Sequence, residues 1–95
     1  MIKQLHLIIK GRVQGVYYRQ STKQKAEELG VYGVVKNLEN GDVDVVAEGE
    51  EDKLNLLLDW CWKGPEKAEV KDISVKWRQA ENKCNFFSIE HQKAY

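Results

Sequence analysis

The sequence is poor in the residues that staple or punctuate a chain: one proline, one methionine and two cysteines in 95 residues. Cys61 and Cys84 lie far apart and no Cys-x-x-Cys occurs, so no metal-type spacing is present. Buried or half-buried thiols in a reducing compartment are expected, with a disulfide between them as the lesser alternative. Net charge is absent too, with 15 Lys and Arg against 15 Asp and Glu. A broad nucleic-acid face needs clustered positive charge, so no nucleic-acid partner is expected. No apolar run approaches membrane-spanning length and no secretory leader opens the sequence, which points to a cytoplasmic protein with no membrane partner. Repeats, linkers and low-complexity segments are also missing. The length suits one domain, residues 1–95, able to bury a real core and expected to act as a monomer.

What the sequence does contain is organised around one stretch, Gly11-Arg12-Val13-Gln14-Gly15-Val16-Tyr17-Tyr18-Arg19. Leu5, Leu7 and Ile9 alternate before it, as in a strand buried on one face. Tyr18, Thr22, Ala26 and Leu29 recur after it at helical spacing. It is therefore a strand-to-helix loop with an arginine in the first helical turn. Gly11 and Gly15 permit backbone angles closed to other residues, which lets successive amides converge on one point. A helix start adds unpaired N–H groups and a positive dipole end. Arg19 adds a planar fork fitted to phosphate oxygens. The pattern describes an oxyanion cradle, although most first-turn arginines are simply solvated. It is neither a P-loop nor a dinucleotide fingerprint. Lys10, Arg12 and Lys36 are further candidates for local positive charge.

Taken in order, the first strand spans about Lys3 to Lys10, with His6 facing away from Leu5 and Leu7 and reading as a half-exposed strand histidine. The first helix runs from about Tyr18 to Leu29 and stops at Gly30. Val31 to Leu38 reads as a second strand, Asn40-Gly41 as a hairpin signal, and Val43 to Glu48 as a third strand with one packed and one wetter face. Glu50, Glu51 and Asp52 open a second helix with a stripe of Leu54, Leu57, Leu58 and Cys61. Trp60 and Trp62 flank that stripe and are expected at the core edge or partly exposed, with an aromatic ligand surface as the lesser alternative; Gly64-Pro65 ends the helix. A fourth strand covers about Ala68 to Trp77, with Ile73, Val75 and Trp77 on one face. Gln79 to Lys83 makes a turn and Asn85 to Glu90 a last short strand. The tail from His91 is expected to be loosely held, with His91 solvated.

This order, β-α-β-β-α-β plus a short closing strand, predicts a ferredoxin-like α/β sandwich of the α+β class. It implies a mainly antiparallel sheet with both helices on one face. The fold hosts metal carriers and RNA binders as well as enzymes. The metal carrier is excluded by the missing Cys-x-x-Cys, and the RNA binder by the missing aromatic RNA-binding core on a central strand.

Gly11-Arg-Val-Gln-Gly-Val-Tyr-Tyr-Arg19 resembles the signature of the acylphosphatase family, Gly-x-Val-Gln-Gly-Val-x-Phe-Arg. The likeness runs on through Gly33-Val34-Val35-Lys36-Asn37, Gly41, Glu48-Gly49, Trp60, Gly64-Pro65 and Phe87-Ser88-Ile89. It implies hydrolysis of small acyl phosphates to carboxylate and inorganic phosphate, with no metal and no cofactor. It further implies that Arg19 binds the phosphoryl group, Asn37 orients the attacking water, and the backbone amides of Arg12, Val13, Gln14, Gly15, Val16 and Tyr17 hold phosphate. Locally, Asn37 also fits a turn-capping asparagine. The rival reading is a catalytically silent anion-binding module of the same fold. Three positions depart from the family pattern. Tyr18 replaces phenylalanine and needs a partner for its hydroxyl if buried. Tyr17 is bulky enough to crowd the site mouth. Val34 replaces a frequent tryptophan, a loss that Trp77 or Trp62 is expected to offset.

Overall fold

A computed structural model of the chain describes residues 1–90; the expectations for the tail and for His91 lie outside the described residues. The elements are β1 (Ile2–Arg12), α1 (Tyr18–Leu29), β2 (Tyr32–Asn37), β3 (Val43–Glu50), α2 (Glu51–Lys63), β4 (Glu69–Gln79) and β5 (Phe87–Glu90). The strands form one sheet in the order β4-β1-β3-β2-β5. All neighbours are antiparallel except β2 and β5, which run parallel. This is the ferredoxin-like sandwich with its closing strand added at the β2 edge.

The alternation in β1 sets the two faces. Leu5, Leu7 and Ile9 lie across from Ala47, Val45 and Val43 of β3, and all six are fully buried. Val35 and Phe87 continue this face toward the far edge. Both helices cover it: α1 packs on β2, β5 and α2, while α2 packs on β3, β4 and β1. Leu54, Leu57 and Cys61 of α2 are buried, with Leu58 and Trp60 packed at the core edge and Trp62 exposed. Each such fully buried aliphatic side chain contributes roughly 1.5–3 kcal/mol of transfer free energy. Among the described residues no helix covers the opposite face of the sheet.

Several boundaries move, for reasons of pairing. β1 runs on to Arg12 because β4 follows it past a bulge at Lys10 and Gly11. Gly11 therefore belongs to the strand and not to the loop, and its role is close approach: a Cβ there would overlap the Glu69 carbonyl. β4 likewise runs through Gln79, so the turn begins later than the polar run suggests. The hairpin after β2 closes through Leu38 N–H to the Asp42 carbonyl at 2.8 Å, with the Asn40 side chain accepting from Asp42 N–H at 3.0 Å.

On the helix-free face His6 is half-buried, as its strand position predicts, and its Nε2 lies 2.5 Å from Asp44 Oδ1. Glu48, placed on the wetter side by alternation, is only 7% exposed. Its carboxylate accepts from Gln4 Nε2 at 2.9 Å and from the backbone N–H groups of Glu81 and Asn82 at 2.7 and 2.9 Å. Those bonds offset the cost of burying a carboxylate and tie the β4–β5 connection across the sheet end. Val34 also lies on this face, across from Val46. Trp77 is on the helix side of the opposite edge, and α2 carries Trp62 on that side too, so neither fills the space behind Val34.

The cysteines do not pair. Cys61 is buried and Cys84 is exposed, the latter wetter than expected. Burial pushes the Cys61 thiol up to about 12, which keeps it protonated. No helix among the described residues is long and apolar enough to cross a membrane.

Candidate active site

The loop from Val13 to Tyr17 is anchored from below by two valines, Val13 and Val16, both buried. A third anchor is the Gln14 side chain, whose Nε2 donates to the Leu38 carbonyl at 2.8 Å and the Asp42 carbonyl at 2.9 Å. Both hydrogens of one amide thus fasten the loop to the β2–β3 hairpin, which brings the end of β2 beside it. Gly15 and Tyr17 take left-handed φ angles of 75° and 63°. Alternation of this kind curls successive N–H groups toward a common point. For Tyr17 it costs on the order of 1 kcal/mol, and its 81% exposed side chain recovers little of that by burial.

None of the N–H groups from Gln14 to Tyr17 donates to a group among the described residues. The first helical bond of α1 is Ser21 N–H to the Tyr17 carbonyl at 3.0 Å, so Tyr18, Arg19 and Gln20 add three more helix-start donors. The first turn holds no acidic residue. A run of donors at a positive helix end, with no carboxylate of its own, is suited to an oxyanion.

Tyr18 pins this helix start to α2. It is buried, its Oη donates to the Cys61 carbonyl at 2.5 Å, and its ring centroid lies 5.7 Å from that of Trp60. The hydroxyl thus has the partner that burial demands. Burial, followed by the closeness of Cys61, holds the phenol well above its ordinary range, so it remains a donor. Arg19, next along the turn, is half-buried and makes no ion pair among the described residues.

One cavity of about 420 Å³ collects these parts: Val13, Gln14, Gly15, Tyr17, Tyr18, Arg19, Gln20, Asn37 and Ile89 line it. Arg19 and Asn37, eighteen positions apart (37 − 19), meet here because Asn37 is the last residue of β2. Four of the six loop residues named from sequence line the cavity or flank it directly as Val13, Gln14, Gly15 and Tyr17. Val16 anchors the loop, and Arg12 is the last residue of β1, across from Glu69. Of the cations offered as local positive charge, only Arg19 reaches the cavity; Lys36 lies 3.9 Å from Glu90 on the helix-free face. His6 is not among the lining residues. Sequence reasoning missed the two hydrogen bonds donated by the Gln14 amide, although the residue lies inside the motif. It also missed Ile89, which nothing in its local pattern distinguishes from an ordinary strand residue.

Gly15→Val tests the loop. Nothing lies within 4 Å of a Cβ at this position, so the penalty is conformational and not a clash. A β-branched residue held at this φ is expected to lose roughly 1–3 kcal/mol of stability and to weaken phosphate binding as the amides turn away. Urea unfolding and phosphate inhibition measure the two effects. Normal values for both would mean that the loop does not need this backbone angle.

The sheet order and the donor-rich helix start together define a class, the ferredoxin-like α+β proteins with a run of unpaired N–H donors after the first strand. Comparison with known proteins narrows the class. The acylphosphatase family model matches residues 5–89, and the chain belongs to that family. A relative named acylphosphatase from Marinobacter nauticus is 47% identical over 90 residues, covering 95% of this chain and 98% of its own. The crystal structure of the acylphosphatase from Bacillus subtilis superposes with a TM-score of 0.90 at 34% identity, over 95% of this chain and 99% of that one. An acylphosphatase from Coxiella burnetii gives 0.89 at 39% identity, over 94% and 93%.

Proposed function

We propose that the protein hydrolyses the carboxyl–phosphate bond of small acyl phosphates, releasing a carboxylate and inorganic phosphate. The observation that carries this reading is the convergence of Arg19, Asn37 and the glycine loop on one cavity. The phosphoryl group would sit on the amides between Val13 and Tyr17 with the Arg19 fork against its oxygens. Asn37 would hold the attacking water in line, its amide offering both a donor and an acceptor.

The water oxygen becomes the fourth oxygen of phosphate. The P–O bond to the carboxyl breaks, and the carboxylate leaves with the bonding pair. One water proton stays on phosphate and the other passes to a phosphate oxygen or to solvent. A carboxylate is stable without protonation, so no strong general acid is needed. Through a loose transition state, the protein's task is positioning and charge stabilisation. An arginine and oriented amides supply both. Among the described residues no three His, Cys, Asp or Glu side chains gather as metal ligands do, and the reaction is proposed to run without a metal.

Tyr17 lines the cavity with an exposed side chain, a position from which its ring would bear on which acyl groups enter. The two free thiols suit a reducing compartment and support placing the protein in the cytoplasm. The test is to incubate the purified protein with an aryl acyl phosphate in excess chelator and to follow release of the carboxylic acid. Steady turnover in chelator is the expected result. Turnover that appears only with added magnesium would overturn the metal-free reading. Phosphate binding with no hydrolysis at all would establish the silent module instead.

A further inference from the structure

The hairpin between β2 and β3 turns through Glu39, Asn40 and Gly41, and no residue from 38 to 42 lines the cavity. Asn40 is exposed, and of the five asparagines in the sequence it is the one followed by glycine. Gly41 holds a left-handed φ of 98°, and no atom lies within 4 Å of where a Cβ would stand. A glycine leaves its own backbone nitrogen unshielded.

Asp42 grips both ends of the Asn40 amide. Its N–H donates to Asn40 Oδ1 at 3.0 Å, and Asn40 Nδ2 donates to its Oδ2 at 3.1 Å. The first of these bonds closes an Asx turn, a ring that runs through the Gly41 nitrogen and folds the side-chain carbonyl carbon toward it. Gly41 N–H donates to the Leu38 carbonyl at 3.2 Å, longer than the other hydrogen bonds of the turn.

We propose that Asn40 is a site of spontaneous modification, closing on Gly41 to a succinimide that water opens to isoaspartate. The Gly41 nitrogen gives its proton to solvent and attacks Asn40 Cγ. The oxygen there gains negative charge against an Asp42 N–H already aimed at it. The side-chain nitrogen takes a proton from water beside the Asp42 carboxylate, which favours the positive charge, and leaves as ammonia with the bonding pair. Water then opens the ring. Attack at the Asn40 main-chain carbonyl leaves isoaspartate, and attack at Cγ leaves aspartate.

Isoaspartate adds one carbon to the main chain of a turn whose limbs are tied at Leu38 and Asp42. Those two carbonyls receive the Gln14 amide at 2.8 and 2.9 Å. The modification thus slackens the tie between the loop and the end of β2, and with it the placing of Asn37. This consequence for turnover rests on the proposed hydrolysis; the modification does not.

The test ages the intact protein in mildly alkaline buffer at body temperature. Peptide mass spectrometry reads deamidation at each asparagine, and a protein isoaspartate methyltransferase reads isoaspartate. Deamidation at Asn40 should run about tenfold or more faster than at Asn37, Asn55, Asn82 or Asn85, each followed by a bulkier residue. Asn40→Ser, which keeps an oxygen for the turn, should form no isoaspartate at this position. In the isoaspartyl fraction, separated by anion exchange, the Gln14 side-chain N–H signals should shift and kcat should fall about tenfold. Asn40→Asp carries the new charge on an ordinary main chain and should keep the signals and turnover of fresh protein. Deamidation at Asn40 no faster than elsewhere, or an isoaspartate signal undiminished in Asn40→Ser, would overturn the site. Isoaspartate at residue 40 with unmoved Gln14 signals would overturn the coupling to the loop. Modification and shifts as stated, in a protein that hydrolyses nothing even when fresh, would refute the hydrolytic reading and support the modified site.

Discussion

Arg19→Gln is expected to keep the fold and lose nearly all hydrolysis of an acyl phosphate, with kcat/KM falling about a thousandfold or more. A loss of that size corresponds to about 4 kcal/mol of transition-state stabilisation. The residue is half-buried on the first turn of α1 and makes no ion pair among the described residues. Its removal should therefore cost little stability. Within the cavity it is the sole cationic side chain among the lining residues, so neither Gln14, Gln20 nor Asn37 can replace its charge. Competitive inhibition by phosphate should weaken alongside turnover, because ground state and transition state both present phosphoryl oxygens. Arg19→Lys should recover little activity: an ammonium is a point charge and cannot make two parallel bonds to one phosphoryl group. Full activity in Arg19→Gln would refute the cradle assignment.

Asn37→Ala should separate chemistry from binding. The amide is proposed to hold the attacking water, while phosphoryl charge rests on Arg19 and the loop. Its loss should lower kcat by about a hundredfold or more, the scale of one misplaced reacting group. The phosphate inhibition constant should change little. Stability is the control, because Asn37 also ends β2 just before the hairpin. Unfolding is expected to remain cooperative and within about 1–2 kcal/mol of wild type. Activity lost only in proportion to folding would make Asn37 a turn residue. Undiminished turnover would remove it from the mechanism altogether.

The parts legible in the sequence were those whose signals are local. The alternation of Leu5, Leu7 and Ile9 identifies the packed face of β1, and the register with β3 places three more buried side chains against them. The spacing of Tyr18, Thr22 and Ala26 identifies the buried stripe of α1. Arg19 could be singled out because loop, glycine and helix start are contiguous. Asn37 could not be assigned by local physics alone, since turn capping and water binding use the same amide; the family likeness supplied that candidate.

What stayed hidden depends on pairing between distant segments. Glu48 alternates as a wet residue, and it becomes buried because the chain returns after β4 and offers it two backbone amides. His6 acquires Asp44 only when β1 and β3 fall into register. Gly11 has the appearance of a loop glycine until β4 follows β1 past the bulge. Ile89 enters the cavity because β5 lies parallel to β2, a neighbour that its four residues do not announce. The expected compensation for Val34 failed for the same reason: face and strand order separate it from both tryptophans.

The central claim is that the loop amides and Arg19 form one phosphate cradle, and an amide-resolved NMR titration of the wild-type protein with inorganic phosphate tests it most directly. The N–H signals of Gln14, Gly15, Val16, Tyr17 and Tyr18 and the Arg19 guanidinium should shift together along one saturating curve. The dissociation constant should equal the constant for phosphate inhibition of hydrolysis. Signals on the helix-free face, His6 and Lys76 among them, should stay in place. Saturable shifts centred on that face, with the loop from Gln14 to Tyr18 unmoved, would contradict the account.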